Sequence, residues 1–216
     1  MTPSFHGEAT FESFIVQHLI ESGWQAGHSN DFDAAAGLFP GYICSFLRES
    51  QPDAWHKLSQ LHGEQMEHKI VQRIQKELAT HGTLAVVRKG FTDLGVKFRM
   101  AYFKPETSLN PQAQAQYAKN QLTVTRQLYY QPQGTNSLDL VLSLNGLPIA
   151  TVELKNQFTD QNSTDAKRQY VYDREPYEPI FQFKKRTLVH FAVDRDECYM
   201  TTRSVSYTHL TLPTIA

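Results

Sequence analysis

In the N-terminal half of the chain, apolar residues recur at the spacing of α-helices. Between residues 8 and 22 they form one stripe, closed by Gly23 as a C-terminal cap, and this pattern predicts an amphipathic helix. A second helix is predicted to begin at Pro52 and to break at Gly63. A third is predicted over residues 64–80, where apolar residues return every four positions.

The segments between and after these helices carry weaker signals. Residues 25–50 have no clear period and contain a Phe-Pro-Gly-Tyr sequence, so they are predicted to be irregular. Two runs, residues 83–88 and 96–103, are strand-like, and the second alternates apolar and polar residues. A polar segment that starts near Pro111 predicts a short surface helix over residues 110–119.

Three apolar runs in the second half predict consecutive antiparallel strands. The last two flank Asn145-Gly146, a dipeptide typical of tight hairpin turns. The three runs cover residues 121–130, 138–144 and 148–155. A final hairpin is predicted across Asp194-Arg195-Asp196. A helix is predicted between the third run and this hairpin, over about residues 162–173. The pattern as a whole predicts an α/β fold in which a central mixed sheet carries the antiparallel strand run and is flanked by helices.

Composition narrows the class of protein. A chain of 216 residues is long enough for one well-formed core but not for two large domains. The formal net charge of -1 gives no general attraction for nucleic acid, so any DNA contact must come from local basic patches. Cys44 and Cys198 are far apart, which argues against a disulfide scaffold or a zinc ribbon. No apolar run reaches membrane-spanning length, and we expect a cytoplasmic protein with no membrane partner.

Three charged residues interrupt the predicted hairpin. Asp139 lies within an apolar strand, where a carboxylate is costly unless a cation or a hydrogen-bond donor meets it. Glu153 and Lys155 alternate with Val152 and Leu154, so they share one face of the next strand. Carboxylates on neighbouring strands beside a lysine suit Mg²⁺-assisted hydrolysis of phosphodiesters. A solvated edge strand with a Glu/Lys pair, and Asp139 ending a turn, is the alternative interpretation.

The order Asp139, then Glu153-Leu154-Lys155 across a short turn, resembles the PD-(D/E)xK nuclease signature. The wider sequence is similar to the N-terminal endonuclease domain of the type I restriction enzyme R subunit. Four segments carry this resemblance: Val-Thr-Arg-Gln-Leu at 124–128, Leu-Asp-Leu-Val-Leu at 138–142, Val-Glu-Leu-Lys-Asn at 152–156 and Leu-Val-His-Phe-Ala-Val-Asp at 188–194. The similarity extends to about Arg203 and implies a restriction-endonuclease-like fold.

The resemblance implies roles for individual residues. Asp139, Glu153 and the backbone carbonyl of Leu154 are expected to bind Mg²⁺, with Mn²⁺ as an alternative, while Lys155 positions the attacking water. The family also has a glutamine followed four residues later by a tyrosine. Gln169 matches the glutamine, but Asp173 occupies the tyrosine position, so the pattern is only half met. An acid of the first helix, Glu8 or Glu12, either leans toward the metal site or is a solvated helix charge.

Two groups of cations are candidate contacts for DNA phosphates. Lys97 and Arg99 share a face of a predicted strand, and Lys184, Lys185 and Arg186 form a compact cluster before the last hairpin. For each group a solvated strand face or strand entry is the alternative. The three histidines of residues 56–68 lack metal-ligand spacing and are interpreted as surface or packing residues.

The sequence therefore predicts a nuclease domain over residues 1–203, with a helical region at 52–80 inside it. Residues 204–216 no longer resemble the family, and they are interpreted as a tail of cloning or assembly origin. The expected partners are double-stranded DNA and the methylation and specificity subunits of a restriction complex. No Gly-x-x-x-x-Gly-Lys-Ser/Thr loop is present, so ATP is expected to act only through motor domains absent from this chain.

Three alternatives to that prediction stay open. In the first, the chain is a stand-alone DNA-repair or recombination nuclease. In the second, it is a non-catalytic docking module that uses the helices at 52–80. In the third, it is a catalytically intact fragment that is inert without its partners.

Overall fold

A computed structural model describes residues 8–107, 109–154, 177–194, 197–203 and 210–211. The described part is a mixed α/β structure in which a mixed sheet is flanked by helices. The helices are α1 Glu8–Glu21, α2 Pro40–Ser50, α3 Pro52–His62, α4 Met66–His81, α5 Thr83–Lys89 and α6 Pro111–Tyr117.

Among the residues that the structure describes, seven strands form the main sheet, in the order β1-β4-β5-β6-β7-β8-β9, and β2 pairs with β3 in a separate two-stranded sheet. β1 pairs with β4 and β6 with β7 in parallel, whereas the other neighbours in the main sheet are antiparallel. The strands are β1 Gln25–Gly27, β2 Phe91–Asp93, β3 Val96–Phe98, β4 Leu122–Tyr129, β5 Ser137–Leu144, β6 Leu147–Leu154, β7 Val189–Val193, β8 Cys198–Thr201 and β9 Leu210–Thr211.

Three hydrophobic clusters surround the sheet. Helix α1 covers one face, where Phe11 and Val16 pack with Val124, Leu140 and Val152. The other face packs against the 3₁₀ turn Pro179–Phe181 and the residues that lead into α2. The largest cluster joins α2, α4 and α5 to the small β2–β3 sheet and reaches Leu147 next to the β5–β6 turn. The candidate hairpin is therefore enclosed at its turn end and along both faces.

The turn between β5 and β6 is an anchoring point of the fold. Asn145 and Gly146 both have positive φ, 52° and 82°, as a two-residue hairpin turn requires. Asn145 is fully buried, and its amide nitrogen donates to the carbonyl of Met100 at 2.9 Å. Its amide oxygen accepts the N–H of Gln121 at 2.7 Å, and the carbonyl of Gly146 accepts the N–H of Phe39. These bonds tie the turn to the segments before β4 and α2.

The pairing of β5 with β6 contains a register shift. Leu144 pairs with Leu147 and Ser143 with Pro148, but Leu142 pairs with Ala150, so Ile149 is an extra residue on β6. This is a β-bulge. Beyond it the new register continues to the pair Leu140–Val152.

Most of the predicted elements are confirmed. Helices α1, α3, α4 and α6 lie where the apolar period or the proline start predicted them, and the break at Gly63 is present with φ 59°. The run of three antiparallel strands and the hairpin of β7 with β8 also agree with the prediction. The helix predicted over residues 162–173 lies outside the described residues.

The strand prediction for residues 83–88 is wrong, because the segment forms helix α5. Four consecutive apolar residues do not distinguish a short strand from a buried helical turn. Here Thr83, Val86 and Val87 are buried at helical spacing, and the N–H of Thr83 donates to the carbonyl of Lys184 at 2.7 Å. A contact distant in sequence therefore fixes the start of the helix.

Residues 25–50 are more regular than predicted. They contain β1 and helix α2, whose first residue is Pro40. The Phe-Pro-Gly-Tyr sequence is typical of a break, but proline at the first helical position lacks only an N–H that has no partner within the helix. In residues 96–103 only Val96–Phe98 forms a strand, and it belongs to the separate two-stranded sheet.

Within the described residues, every helix is too short or too polar to cross a membrane.

Substituting Gly146 tests the anchoring of the hairpin turn. A Cβ atom there would lie 2.6 Å from Ile43 Cγ1 and 2.7 Å from the carbonyl oxygen of Phe39, in addition to the strain of a positive φ. We expect Gly146→Ala to lower the free energy of unfolding by about 3 kcal/mol, measured by urea denaturation. Gly95→Ala is the matched control, since Gly95 has φ 80° and open space around it; its cost is expected to be about 1 kcal/mol. Equal losses in both variants would contradict a tightly packed turn.

Candidate active site

Asp139 lies at the point where β5 and β6 separate. Their ladder ends at the pair Leu140–Val152, and one residue further the Asp139 carboxylate accepts the backbone N–H of Leu154 at 2.7 Å. The side chain of Asp139 thus takes an N–H that a strand backbone would otherwise satisfy. Its other carboxylate oxygen accepts from the amide of Gln127 on β4 at 3.2 Å. Hydrogen-bond donors therefore meet this half-buried carboxylate, as its apolar setting requires.

Glu153 lies next to this contact on β6. Continuing the register by one place sets Asp139 across from Glu153. On the other side Glu153 pairs with Ala192 of β7, and it is 2% exposed. The two acids predicted from the sequence thus lie on the neighbouring strands β5 and β6, at the end of the hairpin opposite its turn.

A third acid belongs to the same network. Glu12 of α1 is 5% exposed, and its carboxylate accepts from the Gln127 amide at 2.8 Å. It also forms an ion pair with the guanidinium of Arg126, whose side chain is 46% exposed. Of the two first-helix acids considered from the sequence, the structure connects Glu12 to Asp139 through one side chain.

Gln127 and Arg126 are site residues that the sequence interpretation missed. Both lie in the segment Val-Thr-Arg-Gln-Leu at 124–128, as two adjacent exposed residues between the buried Thr125 and Leu128. That interruption of the apolar pattern is the signal that marks them. Gln127 has φ 45°, so its backbone is in the left-handed region although it is not glycine.

Two of the predicted catalytic residues, Lys155 and Gln169, lie outside the described residues. The structure describes β6 up to Leu154, the residue directly before Lys155.

The cations predicted to bind DNA lie in separate regions of the structure and differ in exposure. Lys97 and Arg99 are exposed at the β2–β3 sheet, where Gln51 donates to the carbonyl and accepts the N–H of Arg99. Lys184 and Lys185 are exposed as well.

Arg186, by contrast, is buried: it is 7% exposed, and its guanidinium donates to the carbonyls of Ala36 and Lys185. Burial lowers the pKa of its guanidinium from the usual value. We therefore assign Arg186 a structural role and leave it out of the DNA contacts.

Lys184 lines a groove of about 610 Å³ between α5 and the segment before β7. Its ammonium lies 5.1 Å from the ring centroid of Phe183, and the guanidinium of Arg203 lies 4.2 Å from the same centroid. Arg88 and Lys89 line the groove from α5, and none of its described lining residues is acidic. Leu188, also in the lining, is four residues from Ala192, the β7 partner of Glu153, a distance of roughly 13 Å along a strand.

His190 lies two residues before Ala192 on β7 and is 2% exposed. Its Nδ1 lies 2.7 Å from the hydroxyl of Thr151, its β6 neighbour. Burial lowers the pKa of His190 from 6.5 to about 4, so the ring is neutral near pH 7.

The oxygen atoms that could act as metal ligands at this site fit Mg²⁺. Asp139, Glu153 and the backbone of Leu154 offer oxygen atoms only, and Mg²⁺ binds through one or two carboxylates while keeping several water ligands. Among the residues described, no group of three or more His, Cys, Asp or Glu side chains gathers at metal-binding distance. A cage made only of protein side chains, as structural zinc requires, is thus not formed by the described part of the chain.

The mixed sheet with an antiparallel hairpin that carries two acids, flanked by helices, is the architecture of restriction-endonuclease-like proteins. The chain belongs to the family described as type I restriction enzyme R protein N terminus, whose model matches residues 6–208. It is therefore a domain of a restriction system. No curated protein matches the chain significantly.

The buried His190 predicts an acid-sensitive fold. Its pKa is lower in the folded protein than in the unfolded chain, so the stability that depends on the neutral ring is complete above about pH 6.5 and declines as the pH falls toward 4. The full loss is expected to be roughly 3 kcal/mol. Unfolding free energies of the wild type and of His190→Gln, measured between pH 7 and 4, test this. The variant does not titrate, so its curve should fall less; parallel curves would show that His190 does not contribute.

Proposed function

We propose that the chain is a Mg²⁺-dependent endonuclease domain that hydrolyses DNA phosphodiester bonds, with Asp139 and Glu153 as the metal ligands. The observation that carries the proposal is the Asp139 carboxylate, held against the backbone of Leu154 beside Glu153 where the two strands separate. Membership of the restriction R-protein family supports DNA as the substrate. Mn²⁺ is expected to replace Mg²⁺, because both accept oxygen ligands in octahedral geometry.

Each residue contributes a distinct step. The donors from Leu154 and Gln127 hold the Asp139 carboxylate in a fixed orientation, so no rearrangement is needed when the substrate binds. Bound Mg²⁺ supplies Lewis-acid polarisation of the phosphate and a lowered pKa for its water. Strand alternation predicts that Lys155 shares the face of Glu153. There it holds the attacking water by a hydrogen bond and offsets the charge that develops on the phosphate. Gln169 is proposed to help hold this arrangement.

Exposed cations position the DNA backbone. Lys184 and Lys185 favour this role because Lys184 lines a groove with Arg88 and Lys89, and no acid is present among its described lining residues. The groove is roughly 13 Å from Glu153 along β7, about the length of four base pairs of a duplex. Lys97 and Arg99 are proposed as a second contact. These contacts are with phosphates and carry no sequence preference.

In the complete restriction complex, we propose that the domain acts with methylation and specificity subunits, and that ATP-driven motor domains deliver the DNA to it. The domain is proposed to span residues 1–203, although the family match continues to residue 208 and β9 adds Leu210–Thr211 to the main sheet. This arrangement explains how a chain with a formal net charge of -1 acts on DNA, since local cations and neighbouring subunits supply the attraction.

The assignment of the catalytic residues is tested by Asp139→Asn and Lys155→Ala. Each variant is expected to lower cleavage of supercoiled plasmid in Mg²⁺ by about a thousandfold or more while it still unfolds in one cooperative thermal transition. The thermal midpoint of Lys155→Ala should be unchanged, whereas that of Asp139→Asn should be lower, because asparagine keeps only one of the two oxygens that accept from Leu154 and Gln127. Glu64→Gln, which neutralises an exposed acid in the turn between α3 and α4, is the control and should cut normally. Normal cleavage by Asp139→Asn or Lys155→Ala would show that the assignment is wrong. Calorimetric silence of the wild type with Mn²⁺ would favour the docking module instead.

The DNA contacts are tested by salt dependence. Each lost phosphate contact lowers the slope of log K against log salt by about 0.9. We expect the Lys184→Gln/Lys185→Gln double variant to bind duplex DNA more weakly without metal, with a slope smaller by about 2 in fluorescence anisotropy. Lys57→Gln/Lys69→Gln removes two exposed lysines from α3 and α4 and serves as the control. An unchanged slope in the first double variant would exclude these lysines from the contact.

A further inference from the structure

Gln127 connects two acids that lie far apart in the sequence, one on α1 and one on β5. Its amide nitrogen donates to Glu12 at 2.8 Å and to Asp139 at 3.2 Å. Its amide oxygen accepts the hydroxyl of Ser137 at 3.1 Å. Because carboxylates can only accept, the nitrogen must face the two acids, and the hydroxyl must donate to the oxygen. All three partners therefore agree on one orientation of the amide.

The backbone at Gln127 is held in an unfavourable conformation to make this contact. A φ of 45° costs a residue with a side chain about 1–2 kcal/mol, and glycine would avoid that cost. The residue interrupts the pairing of β4 with β5, which resumes on either side at Arg126–Leu140 and Leu128–Leu138. Such strain persists where the surroundings impose it, and it concentrates at functional sites.

Glu12 supports the link from the opposite side. It is 5% exposed, and the Arg126 guanidinium also pairs with it, so the position of the carboxylate does not depend on Gln127 alone. Arg126 in turn donates to the hydroxyl of Ser13, the next residue of α1. Helix α1 is thereby fixed to β4 through two adjacent residues.

From this geometry we infer that Gln127 is a positioning residue for the metal site: its amide donates to Glu12 and to Asp139, and so holds the Asp139 carboxylate at a fixed position relative to Glu12. Glu12 acts through Gln127 and is not itself a metal ligand. With Leu154 binding one oxygen and Gln127 the other, each Asp139 oxygen keeps a lone pair for the cation while its orientation is set. The inference rests on the proposed function, because it assumes that Asp139 binds the metal.

The test compares Mn²⁺ affinity with stability. Gln127→Gly removes the amide but relieves the positive φ, so we expect Mn²⁺ affinity to fall about 10- to 100-fold in calorimetry while the thermal midpoint stays within a few degrees. Gln127→Asn, which tolerates the same backbone but is one methylene shorter, should lose affinity too. Leu94→Gly is the matched control: Leu94 has φ 44° in the β2–β3 turn, and its replacement should leave Mn²⁺ affinity unchanged.

A double-mutant cycle tests the direction of the effect. Glu12→Gln should weaken Mn²⁺ binding about tenfold in the wild type and less than about twofold in Gln127→Gly. Equal losses in both backgrounds would show that Glu12 acts without Gln127 and would overturn the inference, as would unchanged affinity in Gln127→Gly. Asp139→Asn separates the two claims. If it binds Mn²⁺ as the wild type does, or if the wild type binds none, the proposed function fails and the inference fails with it.

Discussion

The separation of β5 from β6 governs the geometry of the candidate site. Up to Leu140 the two strands satisfy each other's backbone groups, and beyond it the Asp139 carboxylate accepts the N–H of Leu154. A charged acceptor forms stronger hydrogen bonds than a carbonyl, so this bond still joins β5 to β6 after their own ladder has stopped. The same bond places a half-buried carboxylate beside Glu153. Strand termination and site formation therefore result from one contact.

The surrounding clusters explain why this contact holds its position. The turn at Asn145-Gly146 is buried under α2, and both faces of the hairpin are covered, so the hairpin is a rigid support rather than a mobile loop. Helix α1 contributes more than apolar cover, because Glu12 reaches the site end of the sheet. Groups that bind a metal need such support, since small displacements of a ligand weaken both affinity and catalysis.

Local patterns predicted most of the sheet and part of the site. Apolar runs identified the three central strands, and Asn145-Gly146 located the turn, because both signals depend on neighbours in sequence. Helix α5 is not predictable in this way, since its start is fixed by Lys184, far along the chain. The role of Gln127 is equally hidden, because its contact with Glu12 joins residues separated by 115 positions and its positive φ is not typical of glutamine. The catalytic roles of Asp139, Glu153, Lys155 and Gln169 all stay predictions.

The bulge at Ile149 determines which residue Asp139 meets. A hairpin that kept the register of its turn, with Leu144 opposite Leu147, would bring Asp139 opposite Val152, an apolar residue of the α1 face. The single additional residue on β6 advances the strand by one place and brings Glu153 into that position instead. The acidic pair thus depends on a length difference of one amino acid between the two arms of the hairpin. Chain length at this point is consequently as much a determinant of which side chains the candidate site contains as the identity of the acids themselves.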